Sequence, residues 1–243
     1  MFKIFNKKRQ QLFKKDIRGK YLKYAIGEII LIVIGILIAL QINNWNLYRK
    51  DKVKEIQLLT GIRNDILVDT LDFNEIIRGY QQEIQQNTVL HNHIIYQKEI
   101  DSSFVYLLKA AIGTDSHFLY NRTHFKEAQK RGLAIISNQK LRGSISRLYE
   151  YDYAFYEIAE NESEQFNIYR MMNKELVNYL EYDSTGLTMS KVLYNKILSD
   201  KNLSFQIKRA IGLKVQLLNH SQLTLTNALN VERLITNELK TFN

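Results

Sequence analysis

The chain has no cysteine and no proline, and only 10 of its 243 residues are glycine. Without cysteine there is no disulfide, no thiolate nucleophile and no cysteine-ligated metal. Proline is the commonest helix breaker, so its absence permits long helices. The sequence also lacks a phosphate-binding glycine loop and the nucleophile elbow of hydrolases. We therefore expect a helical protein that is not an enzyme and holds no cofactor.

One hydrophobic segment stands out, AIGEIILIVIGILIALQI from Ala25 to Ile42, and Glu28 is its single charged residue. About 18 apolar residues are enough for a helix to cross the hydrocarbon core of a bilayer. The residues that follow lack the small side chains of a signal-peptide cleavage site, so we expect an uncleaved anchor. No second run of this length occurs, which predicts a single crossing by a membrane helix over residues 25–45.

Positive charge is concentrated in front of this segment, where residues 1–24 hold nine basic residues and one acidic residue. The positive-inside rule then places the N-terminus in the cytoplasm and residues 46–243 outside it. We expect residues 1–24 to form a basic amphipathic helix on the anionic inner leaflet, or a disordered tail without lipid. Because the basicity is confined to this tail, we expect no nucleic-acid partner. The predicted membrane-surface residues are Lys3, Lys7, Lys8, Lys14, Lys15, Arg18, Lys20, Lys23 and Trp45.

Residues 46–243 show the periodicity of amphipathic helices and weak strand signals. Polar residues at the starts, and glycine at the end of the first two, indicate shorter helices near residues 102–113, 123–132 and 184–200. The first apolar stripe begins soon after the membrane segment without a stop signal. The predicted fold is all-α, a single N-terminal transmembrane helix followed by an antiparallel helical bundle with a long membrane-proximal helix. Three stripes carry this prediction: Leu59, Ile62, Ile66, Phe73, Ile77, Tyr80, Ile84 and Ile95; Leu141, Ile145, Leu148, Phe155, Ala159, Phe166 and Leu180; Ile207, Ile211, Leu218, Leu225 and Leu229.

Two stretches carry a family resemblance. The first, GKYLKYAIGEIILIVIGILIALQINNWN over residues 19–46, resembles the N-terminal signature of a family of uncharacterised single-pass membrane proteins of Bacteroidota. The second is similar to a more distal motif of that family, although the usual Ser-Gly is Arg131-Gly132 here and the paired tyrosines are separated. The resemblance implies a Gram-negative inner-membrane location, and it does not point to any particular activity. The second stretch comprises Thr123-His124-Phe125-Lys126-Glu127, Arg131-Gly132-Leu133, Ile135-Ile136-Ser137-Asn138, Leu141-Arg142, Ile145, Tyr149 and Tyr151.

Glu28, Gly35 and Ala39 are the candidate interface of the membrane helix. Glu28 and Gly35 are seven residues apart and share a face, and Gly35 with Ala39 forms a small-xxx-small pair that lets another helix approach closely. This face predicts a homo-oligomer or a second membrane protein as partner; the alternative is that it meets lipid. A carboxylate in a membrane helix is functional by default, but Glu28 lies near the cytoplasmic end, where snorkelling to lysines or headgroups is the alternative.

An aromatic cluster follows in the second stripe, with Tyr149, Tyr151, Tyr153 and Tyr156. On a helix these rings point in several directions, so some of them should lie outside the core. Exposed tyrosines are typical of contact surfaces. The cluster is thus a possible contact surface, with packing between helices as the alternative.

The histidines are the remaining candidates for chemistry. His91 falls on the first stripe and is expected in the core, while His93 lies on the opposite side of the same helix, so the two cannot share a metal. His117 and His124 flank a loop-like stretch that contains Asp115, which leaves a metal or acid–base role open. We expect no metal in this protein.

These patterns favour a binding or scaffolding component of the cell envelope. One alternative is a ligand-sensing periplasmic helical domain that acts through a membrane partner, because residues 1–24 are too short for an output domain. A second alternative is a stator-like partner of an ion-driven membrane complex, which would use Glu28.

Overall fold

The computed structural model describes residues 3–100, 102–112, 118–161, 173–184 and 186–242, and only the backbone of residues 3–24. The predicted all-α class is confirmed. A short antiparallel hairpin interrupts the helices and pairs Glu181 with Thr188. The elements are α1 (Lys3–Ile95), α2 (Ser102–Ile112), α3 (Thr123–Arg131), α4 (Gln139–Arg147), α5 (Tyr153–Asn161), β1 (Glu181–Asp183), β2 (Gly186–Thr188), α6 (Lys191–Ser199) and α7 (Lys201–Lys240).

The chain divides into two compact units, residues 1–54 and residues 55–243. In the first unit, every side chain from Ala25 to Trp45 is exposed. An 18-residue window of this helix has a mean hydropathy of 2.6, and none of it is buried. A surface helix of a soluble domain keeps one polar face, whereas this segment is apolar on all sides. By length and composition, the helix can span a membrane.

In the second unit, α1 and α7 pack with buried residues at alternating steps of four and three. This repeat is typical of helices that lie side by side over a long distance. Arg63 contacts Glu232, and Glu83 contacts Lys214 further along, so the two helices are antiparallel. The buried positions on α1 include Glu55, Leu59, Ile62, Ile66, Asp69, Phe73, Tyr80, Asn87, Leu90 and Ile94; those on α7 include Leu203, Ile207, Ala210, Lys214, Leu217, Ser221, Thr224, Ala228, Val231 and Ile235.

A π-helical turn, Leu148–Asp152, joins α4 to α5. The turn adds one residue to the helical repeat, so the inward positions after Leu148 move to Tyr149, Tyr153 and Tyr156. Phe155, which the sequence stripe placed in the core, is 45 % exposed for this reason.

Local side chains cap several helices. Asn138 accepts the backbone N–H of Leu141 at 3.1 Å before α4, and Asp200 accepts those of Asn202 and Leu203 before α7. The start of α3 differs, because its N-cap residue, Arg122, makes no capping hydrogen bond with its side chain. The free N–H groups at this helix start therefore need another acceptor.

The helix predicted from about Ser184 begins later than expected. The chain forms β1 and β2 first, and α6 starts after Ser190, whose hydroxyl accepts the N–H of Leu193. The polar residue at 184 belongs to the hairpin turn. The sequence therefore indicated the end of this helix correctly but not its start.

Candidate functional site

Three acids of α1 bind backbone N–H groups at the start of α3 and in the segments that precede α3 and α4. Glu55 accepts hydrogen bonds from the backbone N and hydroxyl of Ser137, at 2.7 and 2.8 Å. Asp65 accepts the backbone N–H of His124 at 3.3 Å, and Asp69 accepts that of Asn121 at 2.9 Å. The carboxylates of Asp65 and Asp69 on α1 thus accept backbone N–H groups at the start of α3, where the side chain of the N-cap residue Arg122 provides no acceptor. These acids attach the start of α3 and the segment before α4 to α1.

His124 lies directly on α1. Its Nδ1 is 2.9 Å from Oδ2 of Asp65, and its ring covers Gly61. A Cβ atom at position 61 would come within 2.2 Å of the His124 Cδ2 atom, so only glycine fits beneath the ring. The bond through Nδ1 directs Nε2 away from Asp65, as in histidines that act as general bases. His124, for which the sequence left a metal or acid–base role open, is therefore oriented by the carboxylate of Asp65.

Asp69 lies one turn further along α1 and is fully buried. Its Oδ1 binds Asn121, whereas its Oδ2 has no hydrogen-bond partner within the part of the chain that the structure describes. The hydroxyls of Tyr149 and Tyr153 are likewise buried there without a partner. The π-helical turn brings both phenols inward, onto the face of α1 that carries Asp69.

Aromatic rings enclose this group. The ring centroids of Phe73 and Phe118 are 4.1 Å apart, and that of Tyr153 is 5.5 Å from Phe118 and 5.0 Å from Tyr120. Tyr149 stacks on Phe125 at 4.5 Å. Such surroundings exclude water and favour neutral forms of the enclosed groups. We call Asp69, Tyr149 and Tyr153 the buried oxygen cluster.

Burial raises the pKa of Asp69 to about 7, and the neighbouring carboxylates of Asp65 and Asp72 act in the same direction. The N–H of Asn121 and the phenol of Tyr153 oppose this effect. The Tyr153 phenol therefore lies near the Asp69 carboxyl group and favours its ionised form, although no hydrogen bond of normal geometry joins the two. Burial also raises the pKa of Tyr149 and of Tyr153, which stay protonated. The cluster can therefore take up or release one proton near neutral pH.

The membrane-helix candidates are all exposed within their own unit. A Cβ atom at Gly35 would meet nothing within 4 Å, and Glu28 and Ala39 are exposed as well. Trp45 is 64 % exposed, with the Arg49 guanidinium 5.9 Å from its ring centroid. The side chains of the predicted surface residues Lys3, Lys7, Lys8, Lys14, Lys15, Arg18, Lys20 and Lys23 lie outside the described residues.

The structure separates the four tyrosines of the possible contact surface. Tyr149, Tyr153 and Tyr156 are buried, and Tyr156 shares a hydrogen bond of 2.9 Å with Tyr80. Tyr151 is 63 % exposed. The π-helical turn explains the division, since it turns every ring of the cluster except Tyr151 inward. Of the four tyrosines, only Tyr151 is therefore exposed enough to take part in a contact surface.

The other histidines described by the structure do not resemble His124, and His93 packs in the core. His93, not His91, is buried, and its ring packs on Phe104 at 4.6 Å. His93 lies beside the repeat position Ile94, and its Nε2 is 3.0 Å from the backbone oxygen of Glu99, a contact that the spacing of the apolar residues did not reveal. His117 lies outside the described residues, and among those described no group of three or more His, Asp or Glu side chains could hold a metal ion.

Sequence reasoning missed Asp65 and Asp69. A usable signal exists, because Asp69 occupies the position between Ile66 and Phe73 where the repeat requires a buried residue. An acid at such a position predicts a partner for its carboxyl group. The partner itself, the N–H of Asn121, is 52 residues away and has no sequence signal.

A groove between α1 and α2 is a second feature, with a volume of about 400 Å³. Its floor on α1 includes Glu83, which also holds the ammonium group of Lys214 at 2.6 Å. This volume lies in the range of small-molecule sites. The lining residues are Gly79, Gln82, Glu83, Gln86, Tyr106, Lys109 and Ala110.

Comparison with known proteins gives one family. Residues 28–167 match a family of unknown function (DUF6090), and this stretch includes the apolar helix, Asp65, Asp69 and the helices up to α5. No curated protein and no solved structure matches the chain. The match extends over more than half of the sequence, and the chain therefore belongs to this family of unknown function.

Proposed function

We propose that the protein is a single-pass membrane anchor that presents a helical binding or scaffolding domain. The observation that carries this proposal is the segment Ala25–Ile42, which is apolar and exposed on every side. In water such a surface is strongly unfavourable, since each exposed leucine or isoleucine forgoes about 1.5–3 kcal/mol of burial. A bilayer covers all of these side chains at once.

The orientation follows from charge. We place residues 1–24 in the cytoplasm, on the anionic leaflet of a bacterial inner membrane, and the domain from residue 46 onward in the periplasm. The basic tail before the apolar segment supports this topology. The resemblance of residues 19–46 to the N-terminal signature of a Bacteroidota family supports the same compartment.

Single-cysteine labelling tests this topology, because the chain has no cysteine of its own. In Gln222→Cys, an exposed position on α7, a membrane-impermeant maleimide should react in intact spheroplasts. Gln10→Cys, in the basic tail, should react only after permeabilisation. The reverse labelling pattern contradicts the orientation. Release of the protein by alkaline carbonate without detergent contradicts the anchor.

We further propose that the face of Glu28, Gly35 and Ala39 binds a second copy or another membrane protein. The open space at Gly35 lets a second backbone approach. Gly35→Leu with Ala39→Leu should reduce self-association, or crosslinking to the partner, in native membranes. Ile34→Leu with Ile38→Leu is the matched control, since it changes side-chain shape without filling this face. Unchanged association in the Gly35/Ala39 variant would contradict the interface.

The groove between α1 and α2 favours a ligand-sensing domain as a second candidate function. It combines the amides of Gln82 and Gln86 with the ammonium group of Lys109, a set that suits a small polar ligand bearing an anionic group. Native mass spectrometry of the full chain released from detergent should then show a bound small molecule. Ala110→Trp fills the groove and should abolish this mass, while Ala154→Trp, outside the groove, should retain it. A wild-type spectrum without added mass contradicts the sensor.

A further inference from the structure

We propose that the buried oxygen cluster is a proton-binding site, and that its occupancy controls how tightly residues 118–124 are held against α1. Asp69 is the group that connects the two roles. One of its oxygens holds the backbone of Asn121, and the other is buried without a hydrogen-bond partner among the described residues, with the Tyr153 phenol nearby. A proton is the ligand that fits a packed interior of this kind. This inference is independent of the membrane anchor.

The protonated cluster is compatible with the closed arrangement. A neutral Asp69 still accepts the N–H of Asn121 through one oxygen, and the O–H on its other oxygen can donate to the phenol oxygen of Tyr153. Phe118 is buried at 1 % exposure and keeps its place among the aromatic rings. Nothing charged then lies inside the cluster.

In the ionised cluster, the N–H of Asn121 and the phenol of Tyr153 offset only part of the cost of burying the Asp69 carboxylate. On α1, Asp65 and Asp72 add like charges, and the hydroxyls of Tyr120, Tyr149 and Tyr153 are neutral. Beyond them, Asp152 near Tyr153 is a further acid. Arg122, the basic residue of the adjoining segment, lies 3.7 Å from Glu157, and the ring of His124 is bound to Asp65. No cation among the described residues forms an ion pair with Asp69.

Loss of the proton to solvent therefore leaves a buried, unpaired carboxylate. Opening of residues 118–124 admits water to this carboxylate and separates it from the aromatic rings. The pKa of Asp69 is about 7 when the segment is closed and close to its ordinary value when water reaches it. Between these two values, opening releases one proton, so the opening equilibrium rises as pH rises.

Amide hydrogen exchange of the full chain in nanodiscs tests this inference. After correction for base catalysis, the protection of the Asn121 and His124 amides should fall about tenfold per pH unit from pH 5 to 7 and level off above, because one proton is linked to opening. Asp69→Asn, which has no proton to lose, should give protection that is independent of pH. Glu75→Gln, which neutralises an exposed acid further along α1, should behave like the wild type.

Two outcomes overturn the proposal: wild-type protection that does not depend on pH over this range, or an Asp69→Asn variant that keeps the wild-type slope. A second readout covers the case in which Asp69→Asn does not fold. The ¹³C carboxyl resonance of Asp69 in the wild type should titrate near neutral pH, and titration with the midpoint of an ordinary aspartate contradicts the site.

Discussion

Lys214 and Glu83 form a buried ion pair in the contact between α7 and α1, with Nζ and Oε2 2.6 Å apart and side chains 9 % and 14 % exposed. The same ammonium group lies 4.6 Å from the ring centroid of Tyr80. Charged partners at core positions of a seven-residue repeat fix which residues face each other, because any shift of register leaves both charges buried and unpaired.

Loss of one partner should therefore be more damaging than loss of both. Lys214→Met leaves Glu83 buried without its partner and should lower the free energy of unfolding by about 3–5 kcal/mol. Lys214→Met with Glu83→Leu removes both charges and should recover most of this loss. Urea unfolding of the two single variants and the double variant measures the coupling. Additive effects would show that the pair does not act as a unit.

Gly61 supports a second prediction. Gly61→Ala places a methyl group about 2.2 Å from the His124 ring and must displace the ring from Asp65. We expect it to destabilise the fold by about 1–3 kcal/mol, as overpacking does elsewhere. Gly143→Ala, in α4, has no atom within 4 Å of the added carbon and should stabilise the fold by about 0.5–1 kcal/mol.

The comparison of these two glycine variants isolates the contact with His124. Thermal unfolding of both proteins at one pH is sufficient. In the background of His124→Ala, Gly61→Ala should lose its penalty, because the obstructing ring is gone. A penalty that persists in that background would trace the effect to the backbone of α1.

The sequence was sufficient for the fold class and for much of α1. Leu59, Ile62 and Ile66 are apolar residues at core spacing, and all three are buried. Hydrophobic periodicity depends on the residue alone, so it detects such positions without knowledge of the partner helix. The bounds of α2 and α3 could likewise be predicted from the polar residues at their starts and the glycines after their ends.

Periodicity failed where polar residues occupy the core. On α7 the predicted stripe ended at Leu229, which is 48 % exposed, while Ala228 is buried. The true face includes Lys214, Ser221 and Thr224. Their burial depends on partners far away in the chain, such as Glu83 for Lys214, and no local pattern encodes that pairing.

The sequence indicated only some of the residues that form the candidate site. The motif residue His124 and the tyrosines of the second stripe were visible in the sequence, but the π-helical turn that turns Tyr149 inward was not. One inserted residue changes the facing of every later side chain in the helix. The site also needs Asp65 and Asp69 from α1, which lie more than 50 residues away from the loop that they bind.

Asp69 makes the stability of the domain depend on pH. Its pKa is about 7 in the folded state and near 4 in the unfolded state, so this group's contribution is fully present below pH 4 and is lost as pH rises to 7. The three-unit difference corresponds to about 4 kcal/mol. Asp69→Asn should therefore unfold at a higher temperature than the wild type at pH 8, with a smaller gain at pH 5.

The control for this prediction is Glu75→Gln, which neutralises an exposed acid on the same helix. Calorimetry of the three proteins from pH 4 to 8 gives the comparison. Parallel curves for wild type and Asp69→Asn would contradict the assignment of the pH dependence to Asp69.

Two buried tyrosines give a final, opposed pair of predictions. The Tyr149 hydroxyl is buried without a partner, so Tyr149→Phe removes an unsatisfied polar group and should raise the free energy of unfolding by about 1 kcal/mol. The Tyr156 hydroxyl bonds Tyr80 at 2.9 Å and accepts from Ser221 at 3.2 Å, so Tyr156→Phe should lower it by about 1–2 kcal/mol. Both changes delete one oxygen from a buried ring, and urea unfolding of each variant at pH 6 therefore compares hydrogen bonding alone. Equal effects of the same sign would show that the Tyr149 hydroxyl has a partner after all.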